Sequence, residues 1–283
     1  MIPAASDPKP KRRWLQFSLW GVLLLVVVIA VPLGWTIHKL REQRDAGAAL
    51  ENVGCSVEYG VATNDSRSVF ETLKKLLGET TVTSVFAKKD RSKFTDDRLA
   101  YLRALRQLES LILDDTQVTD AGLTNLRELT QLQTLFLVRT KITDAGLVHL
   151  QGLTQLRELY LDGTQVTSAG LMQLKGLTRL ETLSLADTQI TDAGLVHLRR
   201  LKRLEELYLN GTQITDTGLV QLKRLTRLGY LFLNRTQITD IGLVHLRGLT
   251  GLEELVVKGT AVTDAGAQEL KKALPNCKVL YLE

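Results

Sequence analysis

The 283-residue sequence has little of what holds small disulfide-rich domains together. It contains only two cysteines, Cys55 and Cys277, and five prolines. If each copy of the repeat described below adds one strand, at about 4.8 Å per strand, the two cysteines lie roughly 40 Å apart. A disulfide requires Cα atoms within about 7 Å of each other. We therefore predict two buried free thiols, which leave the redox compartment open.

Catalytic and metal-binding motifs are also missing. The sequence has no Gly-x-Ser-x-Gly, His-Glu-x-x-His, Cys-x-x-Cys or phosphate-loop pattern. His149, His197 and His245 are separated by 48 residues each, which places successive side chains about 10 Å apart or more, too far to share a zinc ion. These absences predict a protein that is not an enzyme and that has no cofactor and no metal site.

Positive charge is only slightly in excess. The net charge is +5, which allows weak contact with an anionic surface. The basic residues are not interleaved with aromatic side chains, so the sequence does not predict nucleic-acid binding.

One pattern dominates the sequence. A threonine recurs every 24 residues, followed seven residues later by a leucine in all copies but the last, where Ala267 replaces it. A period of 20–29 residues headed by Leu-x-x-Leu-x-Leu is typical of a leucine-rich-repeat solenoid. We predict an α/β fold over residues 82–283, with a curved parallel sheet on the concave side and short helices on the convex side. Seven regular repeats are marked by Thr116, Thr140, Thr164, Thr188, Thr212, Thr236 and Thr260, between degenerate terminal ones.

Each position within a repeat has a predicted role. Leu159 and Leu161 point inward because a strand alternates its faces. Thr164 is buried at the following turn, where we expect its hydroxyl to bond the backbone of adjacent coils. Thr191 caps a helix and Asp192 lies in its first turn, where the carboxylate offsets the helix dipole. A calcium ladder is the alternative role for these aspartates, but the required Gly-Gly-x-Gly-x-Asp spacing is absent.

The N-terminal region predicts a membrane anchor. Residues 1–13 form a basic stub, and Trp14–Trp35 carries no charged residue. Twenty-two residues span roughly 33 Å as a helix, enough to cross a bilayer core of about 30 Å. We predict a transmembrane helix over residues 14–36 with the N-terminus cytoplasmic and the repeats extracytoplasmic. A cleaved signal peptide is the alternative, although the apolar stretch exceeds the usual length.

Two further segments join the anchor to the repeats. Residues 37–51 are predicted to be a helical juxtamembrane spacer. Residues 52–81 are predicted to form an N-terminal capping unit, because Cys55, Val57 and Tyr59 alternate as in a strand and Ser68–Glu71 has the form of a helix-capping box. Val82–Ala87 then resembles a degenerate first repeat strand. At the other end, the spacing from Leu255 to Leu280 is 25, which predicts that the last strand has slipped by one residue.

Function is expected at the positions that vary between repeats. The outward mid-strand positions carry aromatic residues in four central repeats, and glutamates lie beside them. An exposed aromatic row bordered by charge is typical of a protein-binding surface, although large side chains there could simply cover the leucine core. The predicted partner-binding residues are Phe136, Tyr160, Tyr208, Tyr230, Phe232, Glu158 and Glu206.

A second surface is basic. Residues on the helix side form a column whose charge would suit anionic lipid or a wall polymer, although a solvated face is the simpler interpretation. The column consists of Lys175, Arg199, Lys223, Arg247 and Lys271, with Arg200, Lys202, Arg203, Arg224 and Arg227 beside it.

The repeats, written for example Leu-Tyr-Leu-Asp-Gly-Thr-Gln-Val-Thr-Ser-Ala-Gly-Leu at 159–171, resemble bacterial internalin-like leucine-rich-repeat proteins. They are also similar to ribonuclease-inhibitor-like and cysteine-containing repeats, and Leu-Pro-Asn-Cys at 274–277 echoes the latter. The basic entry and tryptophan-flanked exit of the apolar segment resemble membrane-anchored members. The resemblance implies a non-catalytic module that binds a protein on its concave face. An envelope scaffold acting through the basic convex side is the alternative.

Overall fold

The computed structural model describes residues 31–60, 81–87, 91 and 94–281. The chain divides into two units, residues 1–41 and 42–283. Within the described residues, no helix combines the length and the apolar character needed to cross a bilayer. Most of the predicted transmembrane segment, residues 14–30, lies outside them, as does the predicted capping box at Ser68–Glu71. The membrane anchor therefore stays a prediction.

Among the described residues, ten strands form one sheet in chain order. All neighbouring strands are parallel except the first pair, which is antiparallel. The strands are β1 (Cys55–Gly60), β2 (Thr81–Ala87), β3 (Ser110–Ile112), β4 (Thr134–Phe136), β5 (Glu158–Tyr160), β6 (Thr182–Ser184), β7 (Glu206–Tyr208), β8 (Tyr230–Phe232), β9 (Glu254–Val256) and β10 (Lys278–Leu280).

The opposite side of each repeat is helical. In most repeats one short α-helical turn passes directly into a 3₁₀ turn. The α-helices are α1 (Val31–Asn52), α2 (Asp120–Leu123), α3 (Asp144–Leu147), α4 (Asp192–Leu195), α5 (Asp216–Leu219), α6 (Asp240–Leu243) and α7 (Asp264–Ala273). The 3₁₀ helices are Asp96–Ala104, Thr124–Leu126, Val148–Leu150, Gly170–Gly176, Val196–Arg200, Val220–Arg224 and Val244–Leu246.

The buried leucines set the register of the sheet. Leu135 pairs with Leu159 and Leu159 with Leu183, so each strand sits 24 residues after its neighbour. These leucines are fully buried, and so are the second strand leucine and the helix-side leucines of each repeat. One core therefore runs through all the stacked repeats. A single repeat could not bury its own apolar face, which is why stacking stabilises this fold.

An aspartate on the helix side joins each coil to the next. The carboxylate of Asp120 accepts hydrogen bonds from the backbone N–H of Thr143 (2.8 Å) and from its hydroxyl (2.6 Å). The Thr143 hydroxyl in turn accepts from the Ala145 N–H, which caps α3. The predicted threonine cap is thus confirmed at Thr143 but not at Thr191, whose side chain makes no cap bond. The aspartate has an additional role that the sequence pattern did not predict, because it reaches forward into the following coil.

The glycine of each repeat leaves room for this carboxylate. A Cβ atom at Gly146 would lie 2.3 Å from Oδ1 of Asp120, and one at Gly218 would lie 2.3 Å from Oδ1 of Asp192. Distances below 3.0 Å do not occur between real Cβ atoms and their neighbours. The repeated Asp, Thr and Gly positions are therefore one structural unit, with the aspartate one coil before the threonine and glycine. We call this unit the inter-coil ladder.

The ladder is altered at one rung. Ser168 occupies the aspartate position, and its hydroxyl oxygen accepts from the Thr191 N–H at 2.9 Å. Thr191 makes no side-chain cap bond, unlike Thr143. The helical segment that contains Gly170–Gly176 is 3₁₀ throughout and lacks the α-helical turn of the other regular repeats.

The buried threonine at the turn differs from its expected role. The Thr164 hydroxyl donates to the carbonyl of Leu161, three residues earlier in the same coil, at 2.6 Å. The same bond occurs in the other regular repeats. The expectation that this hydroxyl bonds adjacent coils was wrong, because it donates to a carbonyl within its own turn. The side chain that does bond the next coil at this edge is the Asp or Asn after the strand: the Asp162 carboxylate accepts from the Ala186 N–H at 3.0 Å.

The N-terminal end of the second unit is closed by a helix and a strand. The strand predicted at Cys55–Tyr59 is present as β1, and the helix predicted over residues 37–51 is part of α1. The expected spacer has a structural role near its end, where Ala46 and Leu50 are buried in the core. The Arg98 guanidinium donates to the Val53 carbonyl at 2.9 Å, which ties this cap to the first helical segment after β2.

The C-terminal end keeps the register of the repeats. Val279 pairs with Leu255, and Leu280 pairs with Val256. The predicted one-residue slip was therefore wrong, since a valine in place of the usual leucine hid the 24-residue spacing. Leu280, and not the following Tyr281, takes the outward position beside Val256. The Tyr281 hydroxyl instead donates to the Asp264 carboxylate at the start of α7.

Candidate partner-binding surface

The predicted site residues all lie on the outward side of the sheet. In β5 the central Leu159 is buried, so Glu158 and Tyr160 on either side of it both point outward. The same pattern holds for β7 and β8. We call the outward positions of β3–β9 the sheet face. Its residues are Ser110, Ile112, Thr134, Phe136, Glu158, Tyr160, Thr182, Ser184, Glu206, Tyr208, Tyr230, Phe232, Glu254 and Val256.

The aromatic residues of the sheet face form two stacked pairs. Phe136 and Tyr160 have ring centroids 4.0 Å apart and an angle of 12° between ring planes. Tyr208 and Phe232 have centroids 4.4 Å apart and an angle of 4°. The partners stack because register places them side by side on neighbouring strands about 4.8 Å apart. The row predicted from sequence is therefore two pairs, with a fifth aromatic residue, Tyr230, exposed to 37% beside the second pair.

Strand β6 separates the two pairs. Its outward residues Thr182 and Ser184 are small and only 8% and 3% exposed. The Ser184 hydroxyl donates to the carboxylate of Asp162, which also accepts from the Ala186 N–H. This interruption could have been seen in the sequence, because Ser184 replaces an aromatic or aliphatic residue. Its burial could not, since that depends on the neighbours.

Carboxylates surround the tyrosines. The Tyr208 hydroxyl donates to Oε2 of Glu206 at 2.8 Å, and the Tyr230 hydroxyl donates to Oε2 of Glu253 at 2.7 Å. The pKa of Tyr208 is raised above its ordinary value, first by burial and then by Glu206. The pKa of Tyr160 is also raised, by burial and by the negative charges nearby. Both phenols stay protonated at neutral pH and keep their capacity to donate hydrogen bonds.

The turns after β3, β4, β6 and β8 each bear a charged residue in an uncommon backbone conformation. Asp115, Arg139, Asp187 and Arg235 have positive φ angles of 52–61°, where the corresponding position of other repeats is glycine. Ion pairs accompany this geometry: Arg139 bonds Asp115 at 2.6 Å, and Arg235 lies 3.3 Å from Asp187 across an intervening repeat. An open groove of ≈ 530 Å³ lies here, lined by Ala186, Asp187, Asn210, Asn234, Arg235, Lys258 and Gly259.

The helix side carries the basic column, with Lys175, Arg199, Lys223, Arg247 and Lys271 all exposed. Beside it lies a feature that was not predicted, a column of exposed apolar side chains that recur every 24 residues. This apolar column consists of Val148, Met172, Val196, Val220 and Val244, with Ile241 next to it. The regular spacing was visible in the sequence, but the exposure of these residues was not.

In the described residues, the side chains that could bind a metal or act in catalysis are either far from one another or buried. Within the part of the chain that the structure describes, no three His, Cys, Asp or Glu side chains cluster as a metal site requires. His149 is half-buried, and its Nδ1 accepts from Nε of Arg127 at 3.0 Å. Burial lowers the pKa of His149. Both cysteines are free and buried as predicted, and burial raises the pKa of each thiol to about 11.

Comparison with known proteins agrees with this architecture. Two leucine-rich-repeat family models match, one at residues 106–166 and the other, in two copies, at 178–221 and 202–245. Among solved structures, internalin C2 from Listeria monocytogenes strain 4b F2365 matches with a TM-score of 0.58 and 27% identity. The match covers 75% of this chain and 90% of that one. A comparison with curated proteins gave no match.

Leucine-rich repeats present a long, regular surface and are typically non-catalytic modules for binding other proteins. The repeat matches, the ten-stranded sheet and the similarity to an internalin support the same role for this chain. The chain carries leucine-rich repeats and is similar to an internalin.

Proposed function

We propose that this chain is a membrane-tethered, non-catalytic module that binds a protein partner on its sheet face. The observation that supports the proposal most is the pair of aromatic stacks on the outward side of the sheet, Phe136–Tyr160 and Tyr208–Phe232. Stacked rings are already ordered in the free protein, so little conformational entropy is lost when a partner packs on them. Aromatic residues in such positions commonly dominate binding energy.

The tether is proposed from the sequence. Trp14–Trp35 is long and uncharged, and the basic residues before it favour a cytoplasmic N-terminus and extracytoplasmic repeats.

Substitution of the aromatic residues tests the binding surface. Tyr160→Ala, Tyr208→Ala and Phe232→Ala together should lower capture of a crosslinked partner from intact cells at least tenfold, because each ring is a candidate hot spot. The matched control changes the helix side, with Lys175→Gln, Arg199→Gln, Lys223→Gln and Arg247→Gln together, and should leave capture unchanged. Far-UV circular dichroism of both variants checks that the repeats remain folded. Equal capture by the aromatic variant and the unmodified chain would contradict the proposal.

A second candidate function is an envelope scaffold that meets anionic lipid or wall polymer through its helix side. The apolar column beside the basic column favours it, because peripheral membrane binding combines buried apolar area with attraction to anionic headgroups. The same two variants separate the functions. Under the scaffold hypothesis, the helix-side variant loses its envelope contact and the aromatic variant retains it.

A further inference from the structure

The centre of the sheet face combines aromatic and acidic residues. Tyr160 on β5 and Tyr208 on β7 lie two strands apart, which corresponds to about 10 Å along the sheet. Each stacks against a phenylalanine on its far side, Phe136 or Phe232. The small residues of β6 lie between them. The two tyrosines are therefore the inner members of both pairs and border the same central strip.

The charges on this face have one sign. Among its outward positions on β3–β9, the charged residues are Glu158, Glu206 and Glu254, and there is no lysine or arginine. Glu254 is balanced by Lys278 at 3.4 Å. Glu158 and Glu206, which are half-buried, form no ion pair with a basic residue in the described ranges.

The negative charges of this face act on the Tyr160 hydroxyl. Glu158, Glu206 and Asp162 all raise the pKa of Tyr160, after the larger effect of burial. The carboxylates are therefore close enough to the central strip to influence a group bound there. The chain as a whole is positively charged at +5, so the acidic character belongs to this surface and not to the protein at large.

We propose that the partner on the sheet face is a basic protein segment, with an arginine or lysine side chain packed against Tyr160 and Tyr208 and neutralised by Glu158 and Glu206. This inference rests on the proposed function and specifies the chemistry of its partner. The faces of tyrosine rings attract cations within about 6 Å. The carboxylates of Glu158 and Glu206, which no basic residue of the described ranges neutralises, complement the same charge, and like charges would repel an acidic segment or a nucleic acid.

Synthetic peptides test the inference even while the cellular partner is unidentified. The probes are fluorescein-labelled decapeptides of glycine and serine that carry four arginines, four glutamates or no charge. Binding to the full chain in mild detergent is followed by fluorescence anisotropy at low and moderate salt. The arginine peptide should bind at least tenfold more tightly than the other two, and salt should weaken its binding.

Two variants of equal charge locate the site. Glu158→Gln with Glu206→Gln should weaken arginine-peptide binding at least fivefold. Glu128→Gln with Glu269→Gln removes the same charge from exposed helix-side positions and should have no effect. Tyr160→Leu with Tyr208→Leu should also weaken binding, while the corresponding phenylalanine substitutions should preserve most of it. Equal losses for both glutamate variants, or tighter binding of the glutamate peptide, would overturn the inference.

Failure of this inference differs from failure of the proposed function. If the Glu158/Glu206 variant captures the cellular partner fully while the aromatic variant does not, the sheet face binds a protein but does not select it by charge. If both variants capture it fully, both proposals fail. A second copy of this chain, docked through its basic column, is a further outcome that sedimentation velocity detects as self-association. If the unmodified chain self-associates and the Glu158/Glu206 variant does not, the basic partner is a second copy of this chain. That result would overturn the inference of a separate basic protein.

Discussion

The two outward sides of the repeats differ although the same 24-residue period builds them. The sheet face carries stacked aromatic rings and glutamates, and its charged residues are all acidic. The helix side carries exposed aliphatic side chains and a column of lysines and arginines. The aliphatic and basic columns repeat at almost every turn. The sheet face changes from strand to strand, most sharply at β6, where small residues replace the aromatic ones.

This difference separates periodic positions from variable ones. Periodic positions follow from the framework that all coils share, which consists of the leucine core and the inter-coil ladder. Variable positions are free of that requirement, because the buried leucines between them already satisfy packing. Function is therefore expected where the repeats disagree. The predictions below test whether the framework and the two sides can be changed independently.

Disturbing the framework should have the largest effect. In Gly218→Ala, the new Cβ lies 2.3 Å from Oδ1 of Asp192, so the carboxylate must leave the Thr215 N–H and hydroxyl that it bonds. We expect the free energy of unfolding to fall by about 2 kcal/mol, measured by urea denaturation. Gly248→Ala is the control, because its Cβ would meet nothing within 4 Å. Equal midpoints for the two variants would show that the ladder does not constrain this glycine.

Exchanging Asp and Ser in the inter-coil ladder, in which Ser168 is the altered rung, should change the free energy of unfolding by a smaller amount, with opposite signs for the two exchanges. Asp144→Ser should lower stability by about 1 kcal/mol, because one hydroxyl replaces a carboxylate that accepts two bonds from Thr167. Ser168→Asp should raise stability by about 1 kcal/mol, since a carboxylate would accept from the Thr191 N–H and hydroxyl with two charged oxygens, where Ser168 meets both with a single neutral hydroxyl. Urea denaturation measures both changes. A stabilising Asp144→Ser or a destabilising Ser168→Asp would refute the ladder as a source of stability.

The sheet side should respond to alkaline pH through Tyr208. Burial and Glu206 raise its pKa in the folded chain, while the unfolded value is about 10. Its contribution is complete below pH 10 and is lost as pH rises, because the unfolded state ionises first. Between pH 8 and 10.5 the thermal midpoint of the unmodified chain should therefore fall by about 2 °C more than that of Tyr208→Phe. Identical shifts of the thermal midpoint in the two proteins would show that the pKa of Tyr208 is not raised in the folded chain.

The helix side should tolerate change best. The four substitutions Lys175→Gln, Arg199→Gln, Lys223→Gln and Arg247→Gln should alter the free energy of unfolding by less than about 0.5 kcal/mol, because exposed charges contribute little. Urea denaturation provides the measurement. A loss of several kcal/mol would show that the basic column belongs to the framework after all.

Much of the fold could be predicted from the sequence, because leucine periodicity determines which side chains are buried. The strands follow from it, the free thiols follow from the number of repeats between the cysteines, and the capping threonines other than Thr191 follow from the Thr-Asp pattern at the helix starts. Interactions between coils could not be predicted. The reach of Asp120 to Thr143 and the bond from Thr164 to its own turn depend on backbone positions that spacing does not encode.

The sequence predicted which residues lie on the candidate surface, but not how their side chains pack against one another. Alternation placed Phe136, Tyr160, Tyr208 and Phe232 on one face. It did not show that they stack in two pairs, because a single serine decides where the row breaks. The register of the last strand was missed for a similar reason, since Val279 stands where the other strands have leucine.

Site-directed photo-crosslinking tests the central claim most directly. A benzoyl-substituted phenylalanine replaces Phe232 on the sheet face or Val220 on the helix side, and the full chain is irradiated in intact cells. We predict a discrete protein adduct from position 232 and none from position 220. A protein adduct from position 220 alone would contradict the assignment of the sheet face as the partner-binding surface.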